Sequence, residues 1–288
     1  MVQYDILIIG AGAAGISAAK AAFDAGCRSI LLADSKPFPG GILPQCKHRG
    51  FGRGQTGQEY VSDLWQDFPQ PIHYYPNTTV LEITKDKTAL LAGPVTGRRH
   101  ISFQQLILAT GCREIPLGAL PIGGTRPDGI YTAGQMQEMM NLHGCIPQGR
   151  AVILGSGDLG LIMAAHLAEA GVAVTLVEQK HSCGGMARNR HCLRTYPISL
   201  RCGTSIRRVL GEKQLEAVEL TDGSILPCDL LLMAVGLRPE QELIFGLDNP
   251  PWLQLCGNCS TVHPMVEAVV NEGKQAGFAA WEKIRGGL

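Results

Sequence analysis

Two glycine patterns are the first features of this sequence that could do chemistry: Gly10-Ala-Gly12-Ala-Ala-Gly15 and Gly155-Ser-Gly157-Asp-Leu-Gly160. In such a pattern the first glycine permits a sharp turn and the second lets backbone N–H groups approach a pyrophosphate. The third allows a helix to pack closely on a strand. Each pattern is followed, at a spacing suited to the hydroxyls of a ribose, by an acid, Asp34 or Glu178. The sequence therefore predicts two dinucleotide sites.

Each pattern lies inside a βαβ unit. Residues 5–34 and 151–178 both read as an apolar run, a glycine turn, an alanine-rich stretch of helical periodicity and a second apolar run that ends in the acid. The N-terminus of each helix would offer unpaired N–H groups to a phosphate. A glycine-rich turn that binds nothing is the alternative reading. Two such units predict an α/β fold with two Rossmann-like three-layer domains.

Composition narrows the class of protein. The chain has 288 residues with 25 basic and 25 acidic side chains, so its charge favours neither nucleic acid nor an anionic membrane as a partner. The 36 glycines lie among apolar runs without a collagen-like period, which excludes a disordered chain. No apolar run is long enough for a transmembrane segment. Ten scattered cysteines without an export signal indicate reduced thiols, and we expect a cytoplasmic protein.

Two further segments complete a recognisable order. Apolar strands end in Ala109-Thr110-Gly111 and Ala234-Val235-Gly236, and Cys256-Gly257-Asn258 stands before the last predicted helix. With the two glycine patterns, this order resembles the two-dinucleotide-binding flavoproteins, the superfamily of thioredoxin reductase and the pyridine nucleotide-disulfide oxidoreductases. The resemblance implies an FAD domain of residues 1–115 and 237–288, into which an NAD(P) domain of residues 116–236 is inserted.

The resemblance also implies which residues contact each cofactor. Glu178 would bind both ribose hydroxyls and repel a 2′-phosphate, so NAD is expected in preference to NADP, and no metal site is expected. The FAD contacts expected are Gly10, Gly12, Ala13, Ala14, Gly15, Asp34, Ser35, Lys36, Gly41, Ile42, Gln45, Val80, Ala109, Thr110, Gly111, Gly257, Asn258 and Met265. The NAD contacts expected are Gly155, Gly157, Asp158, Leu159, Gly160, Glu178 and Gly236.

A narrower resemblance concerns the partner. Residues 40–52, 109–135, 141–144 and 153–164 resemble a bacterial branch that is typically encoded beside a glycerol-3-phosphate dehydrogenase-type flavoprotein and a small cysteine-containing protein. This implies a diaphorase-like oxidoreductase, which moves a hydride between NADH and FAD and exchanges electrons with a partner flavoprotein or iron–sulfur protein. A homo-oligomer is also compatible with the resemblance.

The cysteines leave two alternatives open. The redox-active pair of the superfamily is missing, and Cys46 stands alone beside Lys47, His48 and Arg49. Adjacent cations lower the pKa of a thiol, so Cys46 is a candidate catalytic thiolate, or else a residue that only shapes the pocket. A stand-alone NADH oxidase or disulfide reductase would use Cys46 or the pair Cys256 and Cys259. A non-catalytic, cofactor-holding component of a larger dehydrogenase complex is the third reading.

Three further features of the sequence carry expectations. A helix is expected from Pro264 to Ile284, because proline suits a first helical turn. His263, just before it, is a candidate hydrogen-bond or proton donor to the flavin. The basic stretch 188–208 is expected to be a solvated helix face, or a docking surface for an acidic partner.

Overall fold

A computed structural model describes residues 1–287. The chain divides into two compact units, the first formed by Met1–Arg113 with Arg238–Leu288 and the second by Glu114–Leu237. The second unit is therefore an insertion in the first.

The strands, in chain order, are β1 (Val2–Ile9), β2 (Ile30–Ala33), β3 (His73–Tyr75), β4 (Thr79–Ile83), β5 (Thr88–Gly93), β6 (Gly97–Leu108), β7 (Cys112–Glu114), β8 (Gly123–Gly124), β9 (Ile130–Thr132), β10 (Arg150–Leu154), β11 (Ala173–Glu178), β12 (Ser199–Cys202), β13 (Ile206–Leu210), β14 (Ala217–Leu220), β15 (Ile225–Pro227), β16 (Leu230–Met233), β17 (Leu237–Pro239) and β18 (Leu253–Leu255).

The helices are α1 (Ala13–Asp24), α2 (Gly57–Trp65), α3 (Ala133–His143), α4 (Asp158–Glu169), α5 (Ala187–Arg190), α6 (Cys192–Thr195) and α7 (Val266–Arg285). Short 3₁₀ turns lie at Leu43–Gln45, Leu117–Ala119, Glu242–Ile244 and Gly257–Cys259. Within residues 1–287, none of these helices combines the length and the apolar character that crossing a membrane requires.

The first unit is built on a sheet in the order β3-β2-β1-β6-β5-β4, with β18 paired to the end of β6. Strand β1 is parallel to both β2 and β6. Its residues Ile6 and Ile8 pack on the side of α1 and α7, while Leu7 and Ile9 pack against Leu91 on the other face. A strand buried on both faces needs a continuous apolar run, which is the pattern found here.

The second unit repeats this plan. Its main sheet has the order β12-β11-β10-β16-β9, with every pairing parallel, and a second sheet has the order β15-β14-β13-β8. One apolar cluster joins the main sheet to α3 and α4, and another fills the space between the two sheets. The predicted α/β class with two Rossmann-like units is confirmed.

Two expectations about helices are wrong. The last helix begins at Val266 rather than Pro264, because Met265 is the N-cap residue and has an extended backbone. The basic stretch 188–208 is not one helix face. It is divided among α5, α6, β12 and β13, since the chain turns at His191 and becomes extended at Tyr196.

Helix α7 packs on α1 with almost no side chain between the two backbones. A Cβ on Gly273 would collide with the carbonyl of Ala14, and a Cβ on Gly277 would collide with the carbonyl of Ala18. Ala14 and Ala18 are themselves buried. Glycine is required at both positions of α7, because any side chain there would separate the two helices.

We therefore expect the substitution Gly277→Ala to destabilise the protein. The added methyl group forces the helices apart, at a cost of about 1–3 kcal/mol in the free energy of unfolding, despite the better helix propensity of alanine. The control is Gly118→Ala, because a Cβ on Gly118 would meet no atom within 4 Å. Urea denaturation of both variants is the measurement; equal midpoints would contradict the packing argument.

Candidate dinucleotide-binding sites

The turn after β1 has no room for side chains. Gly10 has a φ of +102°, and a Cβ there would collide with the carbonyl oxygen of Ala109 at the end of β6. A Cβ on Gly15, in the first turn of α1, would collide with the carbonyl oxygen of Gly10. The strand, the turn and the helix therefore approach one another as closely as backbone allows.

The turn after β10 has the same geometry. Gly155 has a φ of +104°, and a Cβ on it would collide with the carbonyl oxygen of Ala234, which follows the neighbouring strand β16. The N–H of Gly10 donates to Ala33 O at 2.8 Å, and the N–H of Gly155 donates to Val177 O, also at 2.8 Å. The sequence repeat is thus a structural repeat at the level of individual hydrogen bonds.

The second glycine of each pattern lies beside open space. A Cβ on Gly12 would meet its first neighbour, the Cα of Gly41, only at 4.0 Å, and one on Gly157 would meet nothing within 4 Å. Both glycines are N-cap residues, and no side chain of the described residues caps either helix. Each helix therefore presents N–H groups and the positive end of its dipole to the open space beside its glycine, an arrangement that favours an anion such as phosphate.

The acid after each second strand is bound to its own glycine turn. The Asp34 carboxylate accepts the N–H of Ala11 at 2.5 Å on one oxygen and the N–H of Lys36 at 2.7 Å on the other. The Glu178 carboxylate accepts the N–H of Ser156 at 2.9 Å and the N–H of Lys180 at 2.9 Å in the same way. Each carboxylate is therefore fixed in position beside the turn.

Glu178 carries an additional bond, from the hydroxyl of Ser156 at 2.6 Å. Burial by itself raises the pKa of this carboxyl, but the hydrogen bonds from Ser156 and Lys180 outweigh it and lower the pKa below its usual value. Glu178 is accordingly ionised at neutral pH. A fixed negative charge at this position attracts hydroxyl donors and repels phosphate.

A pair of glycines begins six residues after each acid. From the sequence we predicted Gly41 as a contact, but not Gly184 or Gly185. The N–H of Gly40 donates to Ala11 O at 2.7 Å, and the N–H of Gly184 donates to the hydroxyl of Ser156 at 2.8 Å. Both pairs thus fold back on the glycine turn. The signal was present: Lys-x-x-x-Gly-Gly recurs at 36–41 and 180–185.

The segment Gly257–Cys259 packs against the start of α1, next to the glycine turn of the first unit. Gly257 has a φ of +68°, and a Cβ on it would come within 2.8 Å of the Ala14 side chain. Its N–H donates to Glu272 of α7 at 2.8 Å, and Asn258 Oδ1 accepts the N–H of His263 at 3.0 Å. Glu272 was missed, because nothing in the sequence links it to a residue so far before it.

The end of β6 is held by hydrogen bonds within the first unit. The hydroxyl of Thr110 donates to Glu240 O at 2.6 Å, and Gly111 O accepts the N–H of Glu240 at 3.0 Å. Ala109 follows β6 directly, and its N–H donates to Ile9 O at 2.8 Å. This places the Ala-Thr-Gly segment directly against the Gly10 turn.

The structure brings most of the predicted residues of the first unit together, with Val80 as the exception. Val80 lies on the edge strand β4 and its side chain is buried in the apolar cluster with Leu7 and Ile9. Ile42 is 62% exposed, and Met265 is 38% exposed at the N-cap of α7. The remaining predicted residues lie at the start of α1, the end of β2 or the 3₁₀ turn: Ala13, Ser35, Lys36 and Gln45.

In the second unit the predicted residues also surround the turn. Asp158 and Leu159 open α4, and Asp158 Oδ1 accepts the N–H of Met186 at 2.7 Å and the side-chain amide of Asn189 at 2.6 Å. Gly160 packs α4 on Gly155 as Gly15 does in the first unit. Gly236 O accepts the N–H of Ile115 at 3.1 Å. Asp158 is thus occupied in holding the loop that follows β11.

Of the two readings of Cys46, its burial and raised pKa favour the residue that shapes the pocket over the reactive thiolate. Cys46 is buried at the end of the 3₁₀ turn, and its thiol donates to Ile42 O at 3.4 Å. Burial raises the pKa of this thiol to about 12, which outweighs the cations that follow it in the sequence. Cys256 and Cys259 are also buried, and burial raises the pKa of both thiols.

These pKa shifts predict a pattern of chemical labelling. Because burial raises the pKa of the Cys46 thiol to about 12, this thiol stays protonated at pH 8, and alkylating agents react with thiolates. We expect iodoacetamide to modify the exposed Cys145 while Cys46, Cys256 and Cys259 stay unmodified. Peptide mass spectrometry after brief alkylation of the native protein is the measurement. Labelling of Cys46 as fast as Cys145 would show an accessible thiolate; denatured protein, in which all thiols react, is the control.

Comparison with known proteins identifies the class. Residues 4–250 match the family model described as pyridine nucleotide-disulphide oxidoreductase. The chain is 32% identical over 273 residues to a subunit of opine oxidase from Rhizobium meliloti, covering 83% of this chain and 51% of that protein. It is 25% identical over 286 residues to putidaredoxin reductase of Pseudomonas putida, covering 92% of this chain and 66% of that protein.

Among solved structures, thioredoxin reductase of T. acidophilum superposes with a TM-score of 0.78 at 19% identity, covering 99% of this chain and all of that one. This likeness concerns the fold. The chain spans about half the length of the opine oxidase component that it matches.

The chain belongs to the pyridine nucleotide-disulphide oxidoreductase family. The proteins of this family are FAD- and NAD(P)-dependent oxidoreductases, the class that the sequence resemblance led us to expect. The family binds FAD and uses NAD or NADP in its reduced form as a substrate.

Proposed function

We propose that the first unit binds FAD and that the second binds NADH. Electrons pass between this pair of cofactors and a partner redox protein, in either direction. The observation that carries this proposal is the duplicated turn, with open space beside Gly12 and beside Gly157. Two equivalent phosphate cradles in one chain suit two dinucleotides. When bound, the flavin and the nicotinamide supply the hydride chemistry.

The protein's part in this reaction is to bind and orient. The N–H groups at the start of α1 and α4 would hold the two pyrophosphates, and Asp34 and Glu178 would accept hydrogen bonds from the riboses. Ile42, which follows Gly41, and Met265, at the N-cap of α7, are apolar and exposed to solvent, and they would cover the flavin and exclude water. Gly257 and Asn258 would hold the pyrimidine end of the flavin.

The preference for NADH rests on Glu178. Its carboxylate is fixed by three hydrogen bonds and is ionised at neutral pH, so a 2′-phosphate in the same place would meet a negative charge. The three bonds that Glu178 accepts within the protein leave about one of its roughly four acceptor positions for a ribose hydroxyl. This favours NAD over NADP.

A partner protein as the second redox participant is supported by the state of the cysteines and by the relatives. The thiols that a disulfide mechanism would use, Cys46, Cys256 and Cys259, are all buried with raised pKa values. One relative is named as a subunit of opine oxidase and another as a reductase of putidaredoxin. The partner that the resemblance suggests is a glycerol-3-phosphate dehydrogenase-type flavoprotein or a small cysteine-containing protein.

Two alanine substitutions test the assignment of the two units. Gly12 and Gly157 both have φ values that alanine adopts freely, −75° and −66°, and both have room for a methyl group in the protein alone. We expect Gly12→Ala to lose FAD, because the methyl group fills the space of the pyrophosphate. Gly157→Ala is expected to keep FAD but to bind NADH about tenfold or more weakly, a loss of about 1.4 kcal/mol or more.

Each variant is the matched control for the other, and both should unfold at the same temperature as the wild-type apoprotein. FAD content by absorbance and NADH affinity by calorimetry are the measurements. Loss of FAD from Gly157→Ala with retention in Gly12→Ala would reverse the assignment. Wild-type protein that binds no FAD would refute the proposed function.

A further inference from the structure

A carboxylate on the last helix forms hydrogen bonds to the segment that packs against the start of α1. This carboxylate lies outside the glycine turns and is not one of their acids. Glu272, in the second turn of α7, uses both carboxylate oxygens. Oε2 accepts the N–H of Gly257 at 2.8 Å, and Oε1 accepts the Nε2–H of His263 at 2.7 Å. One carboxylate therefore bonds to both ends of the segment 257–263, which we call the closing loop.

The closing loop is also bonded to itself. Asn258 Oδ1 accepts the N–H of His263 at 3.0 Å. Gly257 and Asn258, the two predicted flavin contacts, are therefore linked with His263 in one hydrogen-bond network. The side chains of His263 and Glu272 are 19% and 32% exposed. Hydrogen bonds to a charged acceptor that is partly shielded from water are stronger than those between neutral groups.

The position of Glu272 on α7 is itself fixed. The next residue, Gly273, packs its backbone on Ala14 of α1, and a Cβ on Gly257 would also touch Ala14. Helix α1, helix α7 and the closing loop thus meet at one alanine. The helix packing therefore holds the carboxylate of Glu272 within hydrogen-bonding distance of Gly257 and His263.

We infer that Glu272 is a positioning residue for FAD: by holding Gly257 and His263, it keeps the closing loop in the conformation that receives the flavin. The inference rests on the proposed function of the first unit. Because the carboxylate can only accept hydrogen bonds, it also determines the tautomer of a neutral His263, which carries its proton on Nε2 and leaves Nδ1 as an acceptor. Loop conformation and histidine tautomer are therefore set by one side chain.

Substitutions at 272 separate a positioning role from simple stabilisation. Glu272→Ala removes both bonds, whereas Glu272→Gln keeps an amide oxygen that can still accept the N–H of Gly257. Glu282→Ala is the matched control, because Glu282 is on the same helix and its carboxylate forms an ion pair with Arg285 at 3.1 Å, away from the closing loop. The readouts are the Kd of the apoprotein for FAD and amide hydrogen exchange of residues 256–264 in the FAD-free protein.

We expect Glu272→Ala to raise the Kd for FAD about tenfold or more, as loss of bonds to a charged acceptor does, and to speed exchange in the closing loop. Glu272→Gln should restore the Kd to within about threefold of wild type, because its amide oxygen can still accept the N–H of Gly257. Glu282→Ala should match wild type in both readouts.

Unchanged loop exchange in Glu272→Ala would overturn the inference, and so would an unchanged Kd or a Kd raised equally by Glu282→Ala. The exchange measurement is made without flavin, so it decides the role of Glu272 even if the wild-type protein binds no FAD. In that event only the proposed function fails, and faster exchange in Glu272→Ala still shows that Glu272 holds the loop.

Discussion

The structure depends on the contact between a glycine and the carbonyl oxygen of a neighbouring strand. Gly10 faces Ala109 O and Gly155 faces Ala234 O, each so closely that a methyl group could not be placed between them. This contact turns the chain sharply from strand into helix, brings the helix N-terminus over the end of the sheet and leaves the space beside Gly12 and Gly157 open. The acids and the glycine pairs are arranged around that space.

The same arrangement is used twice with different supporting contacts. In the first unit the turn is covered by α7 and the closing loop, and both meet α1 at Ala14. In the second, Ser156 replaces Ala11, and its hydroxyl links Glu178 to Gly184.

The spacing of residues in the sequence predicted those features that depend on backbone geometry over a short stretch of chain. The turns, the two acids and the α/β class follow from glycine spacing and apolar runs that are close together in the chain. The reactivity of Cys46 could not be predicted in this way, because burial raises the pKa of its thiol more than the neighbouring cations lower it. Glu272 could not be found from sequence, since its partners Gly257 and His263 lie in a loop whose path only the packing of α7 on α1 determines.

We propose that one chain holds FAD and NADH in two copies of one fold and passes a hydride between them. Anaerobic titration of the FAD-loaded wild-type protein with NADH, followed by the visible absorbance of the flavin, is its most direct test. We expect the flavin absorbance to bleach with an endpoint of about one NADH per FAD, as two-electron transfer to a flavin requires. A flavin that stays yellow with excess NADH would contradict it.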